Sequence, residues 1–132
     1  MRSSLKKVFK NRKLLFYLTC SQINNFFFIK FSSFTGIIAH IEKPISNQSI
    51  STYNIYDIVK YQAKISKILM INQCLISAIT LKHAFQKSKI KSSLVIGIKK
   101  SNTFKSHAWV ETKYGNFLCS NPNEYEKILE IN

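Results

Sequence analysis

Three stretches decide the fold: Cys74-Leu75-Ile76-Ser77-Ala78-Ile79-Thr80-Leu81-Lys82, then Leu94-Val95-Ile96-Gly97-Ile98, then Ser106-His107-Ala108-Trp109-Val110-Glu111-Thr112. From the first stretch onward, Leu75, Ala78, Ile79 and Phe85 recur at helical spacing with Leu81 and Ala84 beside them, which predicts a helix over 74–87. Asn72 stands where an N-cap belongs, so Cys74 falls in the first turn. The second stretch is short, apolar and β-branched, and reads as a buried strand. The third alternates: His107, Trp109 and Glu111 point one way, Ala108 and Val110 the other. Lys99 to Lys105 form a polar turn between the strands, and Tyr114-Gly115-Asn116 carries a hairpin signal. Phe117 and Leu118 begin a return strand, and 122–130 read as a short closing helix. Helices followed by an antiparallel meander make an α+β layout.

Upstream, Ile55, Ile58, Val59, Gln62, Ile65 and Leu69 line one side of a helix over 53–70, with Asp57, Lys60, Lys64 and Lys67 on the other. Ser51 or Thr52 is expected to cap it. Residues 44–52 are polar, carry a proline and read as a linker. Residues 23–41 are apolar and aromatic without a clear period, so helix and strand both stay open. Residues 1–18 read as a basic helix or a frayed arm. The expected division is a basic, apolar N-terminal segment over 1–50, helical and packed on the core or on a partner, and a catalytic domain over 51–132.

The 132 residues suffice for one domain with a real core. Only three Gly and two Pro interrupt the chain, which favours long elements. Three cysteines, Cys20, Cys74 and Cys119, exclude a disulfide framework and fit free thiols in a reducing compartment. No Cys or His lies at zinc spacing, and no metal or cofactor is expected. The net charge of +14 attracts anions. Ten lysines from Lys60 to Lys105, with no acid between Asp57 and Glu111, extend that field to the region of Cys74. No aromatic-basic platform accompanies the charge, so nucleic acid is not expected. Arg2, Lys6, Lys7, Lys10, Arg12 and Lys13 precede Leu14-Leu15-Phe16-Tyr17-Leu18. That apolar run is too short to span a bilayer, and no small-residue cleavage site follows. A cytoplasmic protein is expected, with weak membrane-surface contact through this basic start left open.

A thiol is a nucleophile only as thiolate. The unpaired N–H groups at a helix N-terminus favour that anion, and an imidazole nearby can take its proton. Cys74 has the position and His107 the chemistry, although each alone is as well explained as a structural residue. The indole of Trp109, two residues on from His107, could shield such a pair from water.

The order of these parts resembles papain-like and transglutaminase-like sites: a Cys heading a helix, a buried strand, then a His on the next strand. The strings at Cys74-Leu75, Ile96-Gly97-Ile98-Lys99-Lys100 and His107-Ala108-Trp109-Val110-Glu111, with Gly115, resemble in particular the leader peptidase of lasso-peptide biosynthesis, over about residues 53–121. The resemblance implies a transglutaminase/papain-like fold, its nucleophile helix packed on a small antiparallel sheet. It implies removal of a leader peptide from a ribosomally made precursor, Cys74 attacking the carbonyl and His107 serving as base. It also implies a small leader-binding protein and an ATP-dependent macrolactam cyclase as partners. The Cys74 main-chain N–H is expected to hold the oxyanion, with the Gln73 side chain as a candidate helper.

The sequence departs from this family at the third member. The family carries an Asp shortly after the His, whereas Phe117-Leu118-Cys119-Ser120-Asn121 contains no acid and Asp57 is the only Asp. Counted from Gly115, Ser120 falls at the Asp position. Asn121 is the favoured orienting residue, since an amide can hold an imidazole. Ser120, or no residue at all, stays open, and Glu111 is read as support. Two other readings remain: an acyl-transfer or deamidating enzyme, and a degenerate, non-catalytic leader-binding copy.

Overall fold

The computed structural model describes residues 2–42, 54–69, 74–100, 105–119 and 121–132. Four helices precede a four-stranded sheet. They are α1 (Arg2–Phe31), α2 (Phe34–Glu42), α3 (Ile55–Ile68) and α4 (Cys74–Lys87). The strands are β1 (Ser92–Lys99), β2 (Ser106–Thr112), β3 (Gly115–Phe117) and β4 (Tyr125–Ile131), antiparallel throughout in the order β3-β2-β1-β4. The α+β expectation holds. Among the described residues no helix is long and apolar enough to cross a membrane.

The region whose period was unclear is helical. Among the described side chains of α1 the buried positions are Leu14, Leu18, Gln22 and Asn25, spaced by four, four and three. Two of the four are polar, while Phe16, Phe27 and Phe31 face outward, and this blurs the hydrophobic period. The polar members are satisfied within the bundle. Gln22 Nε2 donates to Ser66 Oγ at 3.2 Å, Gln62 Nε2 donates to Ser66 Oγ at 2.9 Å, and Asn25 Nδ2 donates to Thr80 Oγ1 at 3.1 Å. These bonds tie α1 to α3 and α4. Leu14, Leu18 and Ile41 share one core with Ile58, Ile79, Phe85 and Val110.

Helix α3 opens at Asn54, whose side chain accepts the Tyr56 N–H at 3.0 Å from an extended backbone. Asn54 is therefore the cap; the expected candidates Ser51 and Thr52 lie outside the described residues, as do the linker over 44–52 (of which no residue is described) and the cap candidate Asn72. Helix α4 begins and ends where the periodicity places it, but every residue from Ile76 to Phe85 is buried, Lys82 and His83 included. α4 runs between the other helices and the sheet, so the amphipathic stripe marks only part of its contact surface.

The two faces of the sheet differ. Leu94, Ile96, Ala108 and Val110 turn toward α4, where the Phe85 and Phe117 rings meet edge to face. His107, Trp109 and Glu111 occupy the opposite face, as their alternation requires. The hairpin turns at Lys113–Tyr114, with Thr112 paired to Gly115; the glycine, at φ 132°, starts the return strand instead of standing inside the turn.

The closing helix over 122–130 is not formed. Pro122–Glu124 make one 3-10 turn, and Tyr125–Ile131 form β4 on the free edge of β1. An unpaired β1 edge would leave main-chain groups without partners, and β4 supplies them. Ile96 pairs with Leu129 and Gly97 with Lys127, so Ile128 is an extra residue in a bulge. The bulge changes the face of the alternation: Tyr125 and Lys127 join the His107 face, and Leu129 and Ile131 join the core.

Candidate active site

Cys74 is the first residue of α4 and is half-buried. Its place follows from the helix start, where main-chain N–H groups lack intrahelical acceptors. A cavity of about 540 Å³ is lined by Cys74, His107 and Leu118, and by the polar side of the bundle at Gln62, Ser66 and Ser77. Lys64 and Lys67 of α3 also border it. The structure thus brings Cys74 and His107 to one cavity. Among the described residues no hydrogen bond joins them; such contacts commonly tighten only with substrate.

His107 is held on several sides. Its Nε2 lies 2.6 Å from the Leu118 carbonyl oxygen. A carbonyl only accepts, so Nε2 carries the proton and donates, leaving Nδ1 as the free base in the neutral ring. The ring stacks with Trp109 at a centroid distance of 6.2 Å and packs with Tyr125 at 5.6 Å. Trp109 is fully buried, and its Nε1 donates to Glu111 Oε1 at 3.0 Å. Glu111 also pairs with Lys127 at 2.9 Å. Burial opposes ionisation of Glu111, but the hydrogen bonds from Trp109 and Lys127 outweigh it and hold the carboxyl below its ordinary value. Glu111 therefore supports the indole, and the indole supports the imidazole.

Asn121 is not brought to His107. It is exposed at the start of the 3-10 turn, and its Nδ2 donates to Glu124 Oε1 at 3.5 Å. The physical reason is local: β3 ends at Phe117, and Leu118 turns to φ 73°, so the chain leaves the ladder before reaching His107. Gln73 and Ser120 lie outside the described residues.

Sequence reasoning missed Leu118, because nothing in its side chain signals a left-handed backbone or a useful carbonyl. It also missed Ser66 and Ser77. Their signal was present, as polar residues on buried faces of α3 and α4. Of the other thiols, Cys20 is exposed and borders no part of this cavity. Burial pushes the Cys119 thiol above its ordinary value; a main-chain hydrogen bond from Asn121 opposes this, and the carboxylates of Glu124 and Glu111 add to it. Among the described residues no three His, Cys, Asp or Glu side chains are grouped to hold a metal ion.

The family model described as Transglutaminase-like superfamily matches residues 31–130, which is 100 of the 132 residues and includes both Cys74 and His107. No curated protein and no solved structure gives a significant match.

Proposed function

The chain belongs to the transglutaminase-like superfamily, and from the resemblance of its Cys74-Leu75, Ile96–Lys100 and His107–Glu111 strings to lasso-peptide leader peptidases we propose that it is a cysteine peptidase that removes the leader from a ribosomally made lasso-peptide precursor, Cys74 being the nucleophile and His107 the general base. The observation that carries this reading is the convergence of Cys74, at the head of α4, and His107, on β2, on one cavity.

The chemistry follows from those two groups. The thiol proton passes to His107 as Sγ attacks the scissile carbonyl carbon. The oxyanion is met by the main-chain N–H of Cys74 at the helix start. Collapse breaks the C–N bond, the amine departs with the proton from His107, and a thioester remains on Cys74. Water, giving its proton to His107, then attacks the thioester; the leader acid leaves and the thiol is restored. The lysines bordering the cavity favour a peptide with acidic side chains. The resemblance supplies the remaining partners, a small leader-binding protein and an ATP-dependent macrolactam cyclase.

The test is incubation with the precursor encoded beside it and the leader-binding partner, read by mass spectrometry. Two fragments summing to the precursor plus water are expected, and none with Cys74→Ala. Cleavage retained in that variant overturns the assignment. A product about one mass unit heavier and uncut would mark deamidation instead. No reaction, together with a Cys74 no more reactive to alkylation than Cys20, would mark a non-catalytic binding copy.

A further inference from the structure

We propose that the main-chain carbonyl of Leu118 does the work that an acid or amide side chain does in related sites: it accepts the His107 Nε2–H, fixes the ring in one tautomer and leaves Nδ1 to take the proton of Cys74. This inference rests on the Cys74–His107 reading given above and names the group that positions its base.

The geometry is specific. The Nε2 to oxygen separation is 2.6 Å, short for a hydrogen bond from nitrogen to a neutral carbonyl. The carbonyl points there because of the backbone at Leu118. β3 pairs with β2 through Val110–Phe117 and then stops. At the next residue φ is 73°, in the left-handed region that a non-glycine residue enters only at a cost of about 1 kcal/mol or more. That turn takes the Leu118 carbonyl out of the ladder and onto the imidazole. The side chain of Leu118 packs against the hydrophobic core, which anchors the turn. On the ring's other sides Trp109 and Tyr125 restrict rotation. The one amide that sequence reasoning favoured for this task, Asn121, is hydrogen-bonded to Glu124.

A carbonyl differs from a carboxylate in one consequential way. It fixes orientation and tautomer equally well but brings no negative charge, so it stabilises the imidazolium less as the proton arrives. Leu118 is thus a positioning residue, acting through its main chain.

The test separates carbonyl placement from side-chain packing. Leu118→Gly keeps the carbonyl and permits the left-handed backbone; Leu118→Pro forces φ near −65° and forbids it. Both are assayed for kcat and KM on the precursor, and [15N-imidazole] NMR of the free protein follows the His107 Nε2–H. The wild type should show a hydrogen-bonded, slowly exchanging Nε2–H proton that is lost in Leu118→Pro. The kcat of Leu118→Pro should fall at least about ten-fold further than that of Leu118→Gly, with KM within about two-fold, as expected of an orienting group. Equal kcat in the two folded variants overturns the proposal, and so does a comparable kcat loss in Asn121→Ala, which would return the task to the amide. Should Leu118→Pro fail to fold, the wild-type spectrum decides: an His107 protonated on Nδ1, or a rapidly exchanging Nε2–H, refutes it. The spectrum needs no turnover, so it stands apart from any failure of the peptidase reading.

Discussion

A Cβ placed on Gly97 would lie 2.7 Å from Cη2 of Trp109 and 2.9 Å from its Cζ3, so the indole rests directly on the glycine's bare face. Gly97 is also the cross-strand partner of His107, and its Cβ would stand 3.0 Å from the Cβ of Tyr125. The absence of a side chain on β1 is therefore what lets Trp109 and Tyr125 close around the imidazole. Gly97→Ala is expected to destabilise the fold by about 2 kcal/mol through overpacking, since neither the buried indole nor the Tyr125 Cβ, fixed to its strand, can yield freely. The proposed leader cleavage should fall with it, because the displaced indole no longer supports His107. Denaturant unfolding and kcat on the same variant check both parts; unchanged stability would show that Trp109 is not seated on Gly97.

The two groups on the cavity are expected to act as a unit. Cys74→Ala and His107→Ala should each lower kcat by on the order of 10³-fold or more, and the double variant should be no worse than the poorer single one. Losses that multiply in the double variant would mean that His107 acts elsewhere than on the Cys74 thiol. Alkylation gives a second reading: iodoacetamide should modify Cys74 more slowly in His107→Ala than in the wild type. Cys119 is a useful internal standard here, since burial keeps its thiol protonated and it should stay slow in both proteins.

The head of α4 and the strands around Ile96 and Trp109 are legible in the sequence because local signals agree there: helical spacing after Cys74, a β-branched run, a strict alternation. The reading fails where the deciding interaction is non-local. β4 looks helical because Tyr125, Ile128 and Leu129 fit a helical face, yet the open edge of β1 decides, and the bulge at Ile128 reconciles the apolar spacing with a strand. α1 is obscured because Gln22 and Asn25 fill core positions whose partners, Ser66 and Thr80, lie on other helices. At the candidate site the Cys and His are visible as side chains, but Leu118 contributes only its main chain, and no residue name records where a carbonyl points.

Gln22 bonds α1 to both helices that carry the cavity, α3 and α4. Its Nε2 donates to Ser66 Oγ at 3.2 Å and to Ser77 Oγ at 3.5 Å, and its Oε1 accepts from Gln62 Nε2 at 3.5 Å. Gln22→Ala should cost about 2–3 kcal/mol, from the lost packing and from the buried partners left short of bonds. Gln22→Leu should recover little of this, because an apolar group of similar size still leaves Gln62 and the two serines underbonded. Ser66 and Ser77 border the cavity beside Cys74, so substrate turnover should fall in both variants. Hydrogen exchange along α1 should quicken together with the drop in stability; full protection in Gln22→Leu would show that packing alone holds the helix.

His83 gives the fold a pH dependence whose sign is fixed. It is buried in α4, its Nε2 has no hydrogen-bond partner among the described residues, and its ring meets that of His40 edge to face at 5.2 Å. Burial pushes its pKa down from 6.5 to about 4, and charge on His40 and on Lys82 pushes the same way, against main-chain hydrogen bonding at His40 and Ile41. A base with a depressed pKa in the native state binds its proton more readily when unfolded. Its contribution is therefore fully present above pH 6.5 and is lost as the pH falls toward 4, amounting to about 3 kcal/mol over that window and about 2 kcal/mol by pH 5. Urea unfolding at pH 7 and pH 5 measures this directly. His83→Phe removes the titrating group while keeping a ring in place, so it should flatten the dependence over the same interval. An undiminished fall in stability from pH 7 to pH 5 in His83→Phe would place the titrating group elsewhere, with His40 the next to test.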